Sequence, residues 1–226
     1  MKNIFTLVFI CVFNMLHAQF AIIEDKDGET NVRDENSIRG EIVAKLPTNT
    51  IVSYYTENEN DQWIMIEYKE EHDGYVFVNR LKPLDTFSAI KPETIKSNFV
   101  NFQTTDYQFF ISTKPFHTKE HEIFQSEGFV YAIDGKEFLG TDGDIPKNEI
   151  KSFKVLFKNE EIEISPDVYQ SLYNLDLTAM QLTYNPKLNQ YYLFGTFSDG
   201  AATFDALWVF EKGKLIHHLS HINFNA

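Results

Sequence analysis

Cysteine is nearly absent from this chain of 226 residues, since Cys11 is the only one. Cys11 lies in a short apolar run, residues 4–13, that follows Lys2 and precedes Leu16-His17-Ala18. A basic residue, a short apolar run and a small-residue cleavage site are typical of a secretory signal peptide, so we expect residues 1–18 to be removed. The mature chain then has no cysteine, which excludes a disulfide and a cysteine nucleophile.

Long hydrophobic runs are also missing. The run at residues 4–13 is shorter than the roughly 20 residues that a helix needs to cross a bilayer, and no basic cluster follows it. We therefore expect no stable membrane insertion after signal cleavage. The expected location is periplasmic or cell-envelope associated, after secretion across the inner membrane.

Basic charge is scarce, with 20 Lys and Arg against 33 Asp and Glu and a net charge of −13. Nucleic acids and anionic lipid surfaces require clustered cations. The composition therefore excludes nucleic acid as a general partner. It leaves a protein partner open.

Motifs of common catalytic sites are missing as well. The mature chain has no glycine-rich phosphate loop and no serine nucleophile elbow. Its many carboxylates form no pattern that identifies a glycosidase. We therefore expect a protein that is not an enzyme, with no catalytic residues, no cofactor and no metal.

Aromatic residues, in contrast, are abundant. The 21 Phe and 11 Tyr suit a pleated, half-buried surface, and helix signals are few. The predicted fold class is mainly β: a small five-stranded barrel followed by a β-rich α+β domain with a mostly antiparallel sheet. Prolines and polar residues after the barrel mark a boundary. The predicted organisation is a barrel at residues 19–84, a linker at 85–98 and a second domain at 99–226.

Four motifs between residues 21 and 84 follow one another in a set order: Asp27-Gly28, Asn31-Val32-Arg33, Trp63 and Gly74-Tyr75-Val76. In this order they resemble the bacterial Src-homology-3-like domain family. The resemblance implies a five-stranded barrel, with predicted strands at 21–23, 41–46, 51–56, 63–68 and 75–78. It also implies attachment to a cell-wall fragment or an extended peptide.

The sequence departs from this family at two positions. Asn49 stands where the family usually has Gly, and Tyr75 where it often has a second Trp. Asn tolerates the left-handed conformation best after Gly, so the fold should survive the first change. The second change is expected to alter which ligand is bound. For Arg33 we expect a structural role, in which it binds loop carbonyls or pairs with Asp34 or Glu35.

Alternation along the predicted strands provides candidate ligand-binding residues. If Val52 faces the core, Tyr55 faces away from it. The same rule separates Trp63 and Met65 from Ile66. Aromatic side chains on an outer face can flank a groove for an extended peptide or sugar. The predicted ligand-binding residues are therefore Tyr55, Trp63 and Tyr75, although a role for Trp63 in covering one barrel end stays open.

The C-terminal half has strand-like segments separated by turn residues. Asp134-Gly135 is typical of a hairpin turn between two of these segments. Ser165-Pro166-Asp167 has the residues of a helix start, with Ser as the N-cap and Pro at the first helical position. The predicted strands are 99–102, 107–112, 128–133, 136–140, 150–158, 161–164, 180–184, 190–197, 202–210 and 215–221.

Three motifs in this half are similar to a pattern in small bacterial proteins of unknown role, some of which resemble toxin-neutralising proteins. They are Ile164-Ser165-Pro166, Leu172-Tyr173-Asn174 and Ser198-Asp199-Gly200-Ala201. The resemblance implies an alternative function, in which the acidic C-terminal domain neutralises a basic protein effector.

Histidines provide the remaining candidates. His117-Thr118-Lys119-Glu120-His121 fits the H-x-x-E-H pattern of inverted zinc proteases, which needs a helix and a third ligand. We interpret the segment as a solvated loop or helical turn and rank a metal-dependent hydrolase third. On a strand, His217 and His221 share a face opposite His218, so at most two of the three could reach one metal without help from another strand. An exposed edge strand is the expected reading. Asp142-Gly143-Asp144 is interpreted as a turn.

Overall fold

The computed structural model describes residues 20–56, 61–69 and 72–222. The predicted signal peptide, residues 1–18, lies outside the described residues. Strands make up 57% of the structure and helical residues 9%, which confirms the mainly β class. The nineteen strands within the described residues all pair antiparallel.

The first seven strands form one sheet, called the N-terminal sheet, in the order β3-β2-β6-β5-β4-β1-β7. Its inward side chains, among them Ala21, Val52 and Ile66, form a single buried cluster, so the sheet curls around its own core. Its strands are β1 (Phe20–Ile23), β2 (Glu29–Arg33), β3 (Ile42–Pro47), β4 (Ile51–Tyr55), β5 (Trp63–Lys69), β6 (His72–Phe77) and β7 (Leu81–Pro83).

The prediction of five strands in this region is corrected to seven. No strand was predicted at Glu29–Arg33, yet this segment pairs with β3 and β6. Its alternating burial, with Thr30 and Val32 inward, is the strand signal that the turn residues around Gly28 concealed. The other added strand, Leu81–Pro83, pairs with β1.

Twelve further strands form three sheets. The central sheet has the order β19-β18-β17-β16-β8, the outer sheet β15-β14-β11-β10-β9, and β12 and β13 pair alone. Their bounds are β8 (Ser88–Ile90), β9 (Thr94–Lys96), β10 (Phe99–Gln103), β11 (Tyr107–Pro115), β12 (Ile123–Ser126), β13 (Phe129–Ile133), β14 (Asn148–Phe157), β15 (Glu160–Ile162), β16 (Gln181–Asn185), β17 (Gln190–Phe197), β18 (Phe204–Glu211) and β19 (Lys214–Ile222).

The central sheet is buried on both faces at β17 and β18. Leu193 and Trp208 face the outer sheet, where they join its core residues such as Phe109. Their neighbours Phe194 and Val209 face the opposite way, into a cluster that includes residues of the N-terminal sheet. The molecule therefore has three layers, with the β17–β18 hairpin in the middle.

The cluster between the N-terminal and central sheets draws on both halves of the chain. Phe20 and Ile22 of β1 pack there with Leu84, against Tyr192 and Leu207 of the central sheet. Because β1 alternates, its other two side chains enter the N-terminal core instead. A single strand thus joins two cores.

The predicted linker, residues 85–98, contains two paired strands. β8 pairs with β16 in the central sheet, and β9 pairs with β10 in the outer sheet. Nearby, the buried Thr183 hydroxyl donates to the Leu84 carbonyl over 2.9 Å. These residues are therefore hydrogen-bonded parts of two sheets rather than free connecting chain. The division into two domains stays a prediction.

Two further expectations for the C-terminal half are corrected. β13 pairs with the preceding β12 rather than with residues 136–140, which form only isolated bridges. The helix expected at Ser165 is limited to a 3₁₀ turn, Pro166–Val168, and the Ser165 side chain forms no cap hydrogen bond. Among the described residues no helix has seven or more residues.

Candidate functional site

Three neighbouring strands of the N-terminal sheet align large side chains on its outer face. Tyr55 of β4 is the register partner of Met65 in β5, and Met65 is the partner of Tyr75 in β6. The inward neighbours Val52 and Ile66 are fully buried. The alternation predicted from the sequence is therefore confirmed on β4 and β5. The side chains of Tyr55, Met65 and Tyr75 form one row across the sheet.

Trp63 completes this row into a concave surface. The surface encloses a cavity of about 330 Å³ at the outer face of β4, β5 and β6. We call it the aromatic groove; its lining residues are Asn36, Tyr55, Asp61, Gln62, Trp63, Met65 and Tyr75. All three predicted ligand-binding residues lie in it.

Trp63 lies on the outer face, not in a core. Its side chain is partly exposed and absent from the N-terminal core cluster. Its ring packs edge-on against Phe77, with the ring centroids 5.5 Å apart. On its other side it lines a second, polar depression that includes Arg33 and Arg80. Trp63 therefore forms a wall between two concave surfaces.

Tyr55 closes the groove toward the central sheet. Its hydroxyl donates to Glu67 Oε2 over 3.3 Å, and its ring meets the edge of His221 at 6.2 Å between centroids. Burial, together with the nearby Glu67 carboxylate, raises the pKa of the Tyr55 phenol. The phenol therefore stays protonated and remains a hydrogen-bond donor at any physiological pH.

Gly74 determines how closely β2 approaches the groove strands. A Cβ at this position would lie 2.5 Å from Val32 Cγ1 and 2.8 Å from the Arg33 carbonyl oxygen. The missing side chain lets Arg33 pair with Tyr75 across the sheet. The Gly74-Tyr75-Val76 motif thus has a packing reason that is independent of any ligand.

Arg33 fixes the loop that supplies Asn36 to the groove. Its Nη1 donates to the Gly40 carbonyl over 2.6 Å, which confirms the prediction that Arg33 binds a loop carbonyl. The Asp34 amide also donates to the Glu41 carbonyl, over 3.1 Å. These bonds hold residues 34–41 in a closed loop beside β2.

Turn residues predicted for the N-terminal sheet also take the expected conformations. Asn49 has φ of 73°, the left-handed conformation that the replacement of Gly by Asn requires. The Asp27 amide donates to Asp25 Oδ1 over 3.0 Å, so Asp25-Lys26-Asp27-Gly28 forms a turn. Arg80 pairs with the buried Asp25 carboxylate at 3.1 Å.

The H-x-x-E-H segment forms a 3₁₀ turn, Thr118–Glu120, between β11 and β12. Glu120 pairs with Lys114 at 2.7 Å. His121 Nδ1 lies 2.7 Å from Asp134 Oδ2, and its Nε2 lies 3.2 Å from Glu149 Oε2. Both ring nitrogens of His121 are thus engaged with carboxylates. No group of residues within the described ranges has the geometry of a metal site.

The second histidine cluster lies on β19, an edge strand of the central sheet. His217 and His221 alternate with the exposed His218, which confirms their predicted faces. The expected exposure is wrong for His221, whose side chain is only 17% exposed. Its Nδ1 lies 3.4 Å from Ser53 Oγ on β4. β19 therefore packs against the N-terminal sheet at this point.

Burial lowers the pKa of His221 to about 4. Asp205 Oδ2 lies 3.8 Å from its Nε2, beyond hydrogen-bond length, and burial outweighs this neighbour. The ring is therefore neutral at pH 7. Ser53, His221 and Asp205 come from three separate strands, and the sequence carried no signal that they meet.

Comparison with known proteins leaves the family open. No protein-family model matches the chain, and neither a curated protein nor a solved structure matches it. In the described part of the chain, no helix has the length and apolar character needed to cross a membrane. The similarity to the bacterial Src-homology-3-like family therefore stays a prediction from sequence motifs.

Four groove residues were not predicted: Asn36, Asp61, Gln62 and Met65. Met65 was placed on the correct face by alternation from Trp63, but it was not selected because methionine has no polar group to mark a site. Gln62 directly precedes Trp63 on the chain and could have been included with it. Asn36 enters the groove through the loop fixed by Arg33, a contact for which the linear sequence has no signal.

Proposed function

We propose that this protein is a non-catalytic binding protein of the cell envelope, and that the aromatic groove binds an extended peptide. The peptide is either free or the peptide part of a cell-wall fragment. One observation carries the proposal: Tyr55, Trp63, Met65 and Tyr75 lie side by side on an outer face, partly exposed, around a single cavity. The export signal expected at residues 1–18 supports the proposed location.

The chemistry of the groove suits a peptide in extended conformation. Tyr and Trp provide large rigid contact areas at low conformational cost, and Met adapts its shape to different side chains. The amides of Asn36 and Gln62 can each donate to and accept from a peptide backbone. The Tyr55 hydroxyl donates to Glu67, so its oxygen can accept a hydrogen bond from a peptide amide. Alternate side chains of the peptide would enter the groove while its backbone meets these polar groups.

The groove also lies on a rigid support. Its strands are the inner strands of the N-terminal sheet, and Tyr55 is held by Glu67 and by the edge of His221. A preformed site loses little conformational entropy on binding. We therefore expect binding without a large rearrangement of the sheet.

The test is calorimetric titration of the purified full chain with three probes. These are a wall fragment that carries its peptide, the same peptide without sugar, and the sugar without peptide. The first two should bind and the third should not. Trp63→Ala should weaken binding by about tenfold or more, because buried aromatic contacts dominate such sites. Tyr55→Phe, which removes only the hydroxyl, should weaken it by a smaller factor.

Matched controls separate recognition from folding. Tyr131→Ala removes an exposed aromatic side chain far along the chain and should leave groove binding unchanged. Each variant should melt within a few degrees of the unmodified protein. If Trp63→Ala retains full affinity, or if the sugar alone binds as tightly as the peptide, the proposal is wrong. If Trp63→Ala unfolds the protein, the structural role of Trp63 holds instead.

A further inference from the structure

A second exposed aromatic surface lies on the β12–β13 hairpin, outside the aromatic groove. Phe129 and Tyr131 are 54% and 53% exposed, and they are the two aromatic residues among the exposed large apolar side chains of the described residues. Both lie on β13 and are separated by the fully inward Val130. Such a pair, with both side chains more than half exposed to water, indicates an interaction surface.

The strand geometry turns both rings outward. Phe124 pairs with Ala132 and Gln125 pairs with Val130, so Tyr131 is the extra residue of a β-bulge. Bulges redirect side chains and are frequent beside functional sites. The rings of Tyr131 and Phe124 lie 6.4 Å apart. The surface is therefore continuous from β13 onto β12.

Three carboxylates lie around the Phe129 end of β13. Phe129 packs directly over Gly143, where a Cβ would collide with its ring, and the Val130 amide donates to the Gly143 carbonyl over 2.7 Å. This contact brings Asp142 and Asp144 beside the ring. At the same end of the strand, Glu127 occupies the tip of the β12–β13 turn with φ of 53°.

None of these carboxylates is neutralised by the protein. In the part of the chain that the structure describes, the side chains of Glu127, Asp142 and Asp144 have no ion pair and no hydrogen bond. All three are exposed. The nearby Lys136 pairs with Asp167 at 2.7 Å and is thus already engaged. The surface is negative as well as aromatic.

The hairpin is held in place, so the surface is preformed. Val130 and Ile133 pack with Phe116 and Tyr173 in a small core beneath it. His121 stacks on Phe116 at 4.5 Å and binds the Asp134 carboxylate at the end of β13. The H-x-x-E-H segment therefore serves as the anchor of this hairpin.

From these observations we infer that the β12–β13 hairpin binds a basic protein segment through arginine side chains. A guanidinium can stack on Phe129 or Tyr131 while it pairs with a neighbouring carboxylate. Arginine fits both requirements better than lysine, because its planar group is less strongly hydrated and forms bidentate pairs. This surface is independent of the peptide groove, and it assigns a location to binding of a basic protein partner.

The experiment measures binding of a fluorescently labelled peptide of alternating arginine and glycine to the full chain by anisotropy. The matching lysine–glycine peptide should bind more weakly, and a glutamate–glycine peptide should not bind. Phe129→Leu combined with Tyr131→Leu keeps apolar area but removes the aromatic faces. This double variant should bind the arginine peptide about tenfold more weakly, since two cation–π contacts are lost.

Charge variants distinguish a role of the carboxylates beside the rings from an effect of net charge alone. Asp142→Asn combined with Asp144→Asn should weaken binding several-fold and reduce its dependence on salt. The matched control, Glu160→Gln with Glu163→Gln, makes the same charge change on and beside β15 and should have no effect. Equal weakening by both charge pairs would overturn the inference, because binding would then follow net charge only.

Two further outcomes also contradict the inference. One is unchanged affinity for the arginine peptide in the Phe129/Tyr131 double variant. If the double variant does not fold, the affinity of Tyr131→Leu alone is measured instead, because this variant leaves the Phe129–Gly143 contact intact. The other is self-association that sedimentation detects in the unmodified protein and not in the double variant, since a second copy would then cover the surface. Trp63→Ala should bind the arginine peptide normally, which separates this test from that of the groove.

Discussion

At the scale of single residues, Gly74 has the clearest effect on the shape of the groove. A methyl group there would collide with Val32 Cγ1 and with the Arg33 carbonyl, and both belong to β2, where neither can move freely. Gly74→Ala should therefore destabilise the protein by about 1–3 kcal/mol, the usual cost of overpacking. Urea unfolding measures this change, and a variant as stable as the unmodified protein would show that β2 and β6 are not held at this distance.

Several residue-scale features followed from local rules. The outer positions of Tyr55 and Trp63 follow from alternation, and the left-handed Asn49 from its similarity to Gly in a turn. The contact between Ser53 and His221 did not follow, because it joins residues far apart in the chain. Local patterns determine which face a side chain occupies. They do not determine which distant strand meets that face.

At the scale of elements, strand existence was easier to predict than strand pairing. The four final strands were expected close to their observed bounds, because aromatic and β-branched runs end at turn residues. Burial of β17 and β18 on both faces is recorded in their apolar runs, Tyr191–Phe194 and Ala206–Phe210, which differ from the alternation of a one-sided antiparallel strand. The two strands β8 and β9 were missed, because each has only three residues and therefore no readable alternation.

The predicted helix at Ser165 failed for a related reason. Helix-start residues are present, but a helix is stabilised mainly by packing of an apolar face. After Pro166–Val168 the chain instead reaches Leu172, which bridges to Leu139, and Tyr173, which bridges to Glu149. Tertiary contacts thus replaced the second helical turn.

The anchoring of the β12–β13 hairpin depends on pH through His121. Burial opposes its charge, but the hydrogen bonds to Asp134 and Glu149 outweigh burial and raise the pKa of His121 above 6.5. The stability that protonated His121 gives to the folded protein is therefore complete below pH 6.5 and is lost as the pH rises through the raised pKa. For Asp134, burial is likewise outweighed, by hydrogen bonds from His121 and the Glu122 amide, so its pKa is lowered from 3.8. Its contribution is complete above pH 3.8 and is lost in acid.

We therefore expect His121→Gln to lower the free energy of unfolding most between pH 3.8 and 6.5. The loss should be about 1–3 kcal/mol, as for hydrogen bonds to charged groups, and it should shrink at alkaline pH. Urea unfolding of both proteins across this range provides the difference. His117→Gln, at the other end of the same turn, is the control and should have little effect. A cost that is constant or grows with rising pH would contradict the role of the protonated ring.

At the scale of the whole molecule, the two proposed binding surfaces lie on one three-layered body. The aromatic groove belongs to the N-terminal sheet, and the acidic aromatic surface belongs to the hairpin on the C-terminal half. The cluster of Phe20, Ile22 and Leu84 with the central sheet joins these halves. The sequence predicted two domains with a linker, since composition cannot show that the two halves share a core. The shared cluster favours one cooperative unit.

The two tryptophans provide a direct test, because Trp63 lies in the N-terminal sheet and Trp208 in the core of the other two layers. In Trp208→Phe, Trp63 is the only tryptophan, and the C-terminal layers are weakened by the loss of the Trp208 hydrogen bond to the Val168 carbonyl. Urea unfolding of this variant is followed by Trp63 fluorescence and, on the same samples, by far-ultraviolet circular dichroism. If the protein unfolds as one cooperative unit, the two curves coincide, and both have their midpoint at a lower urea concentration than in the unmodified protein. A Trp63 transition that stays separate from the circular-dichroism transition would contradict the shared core and show that the halves unfold independently.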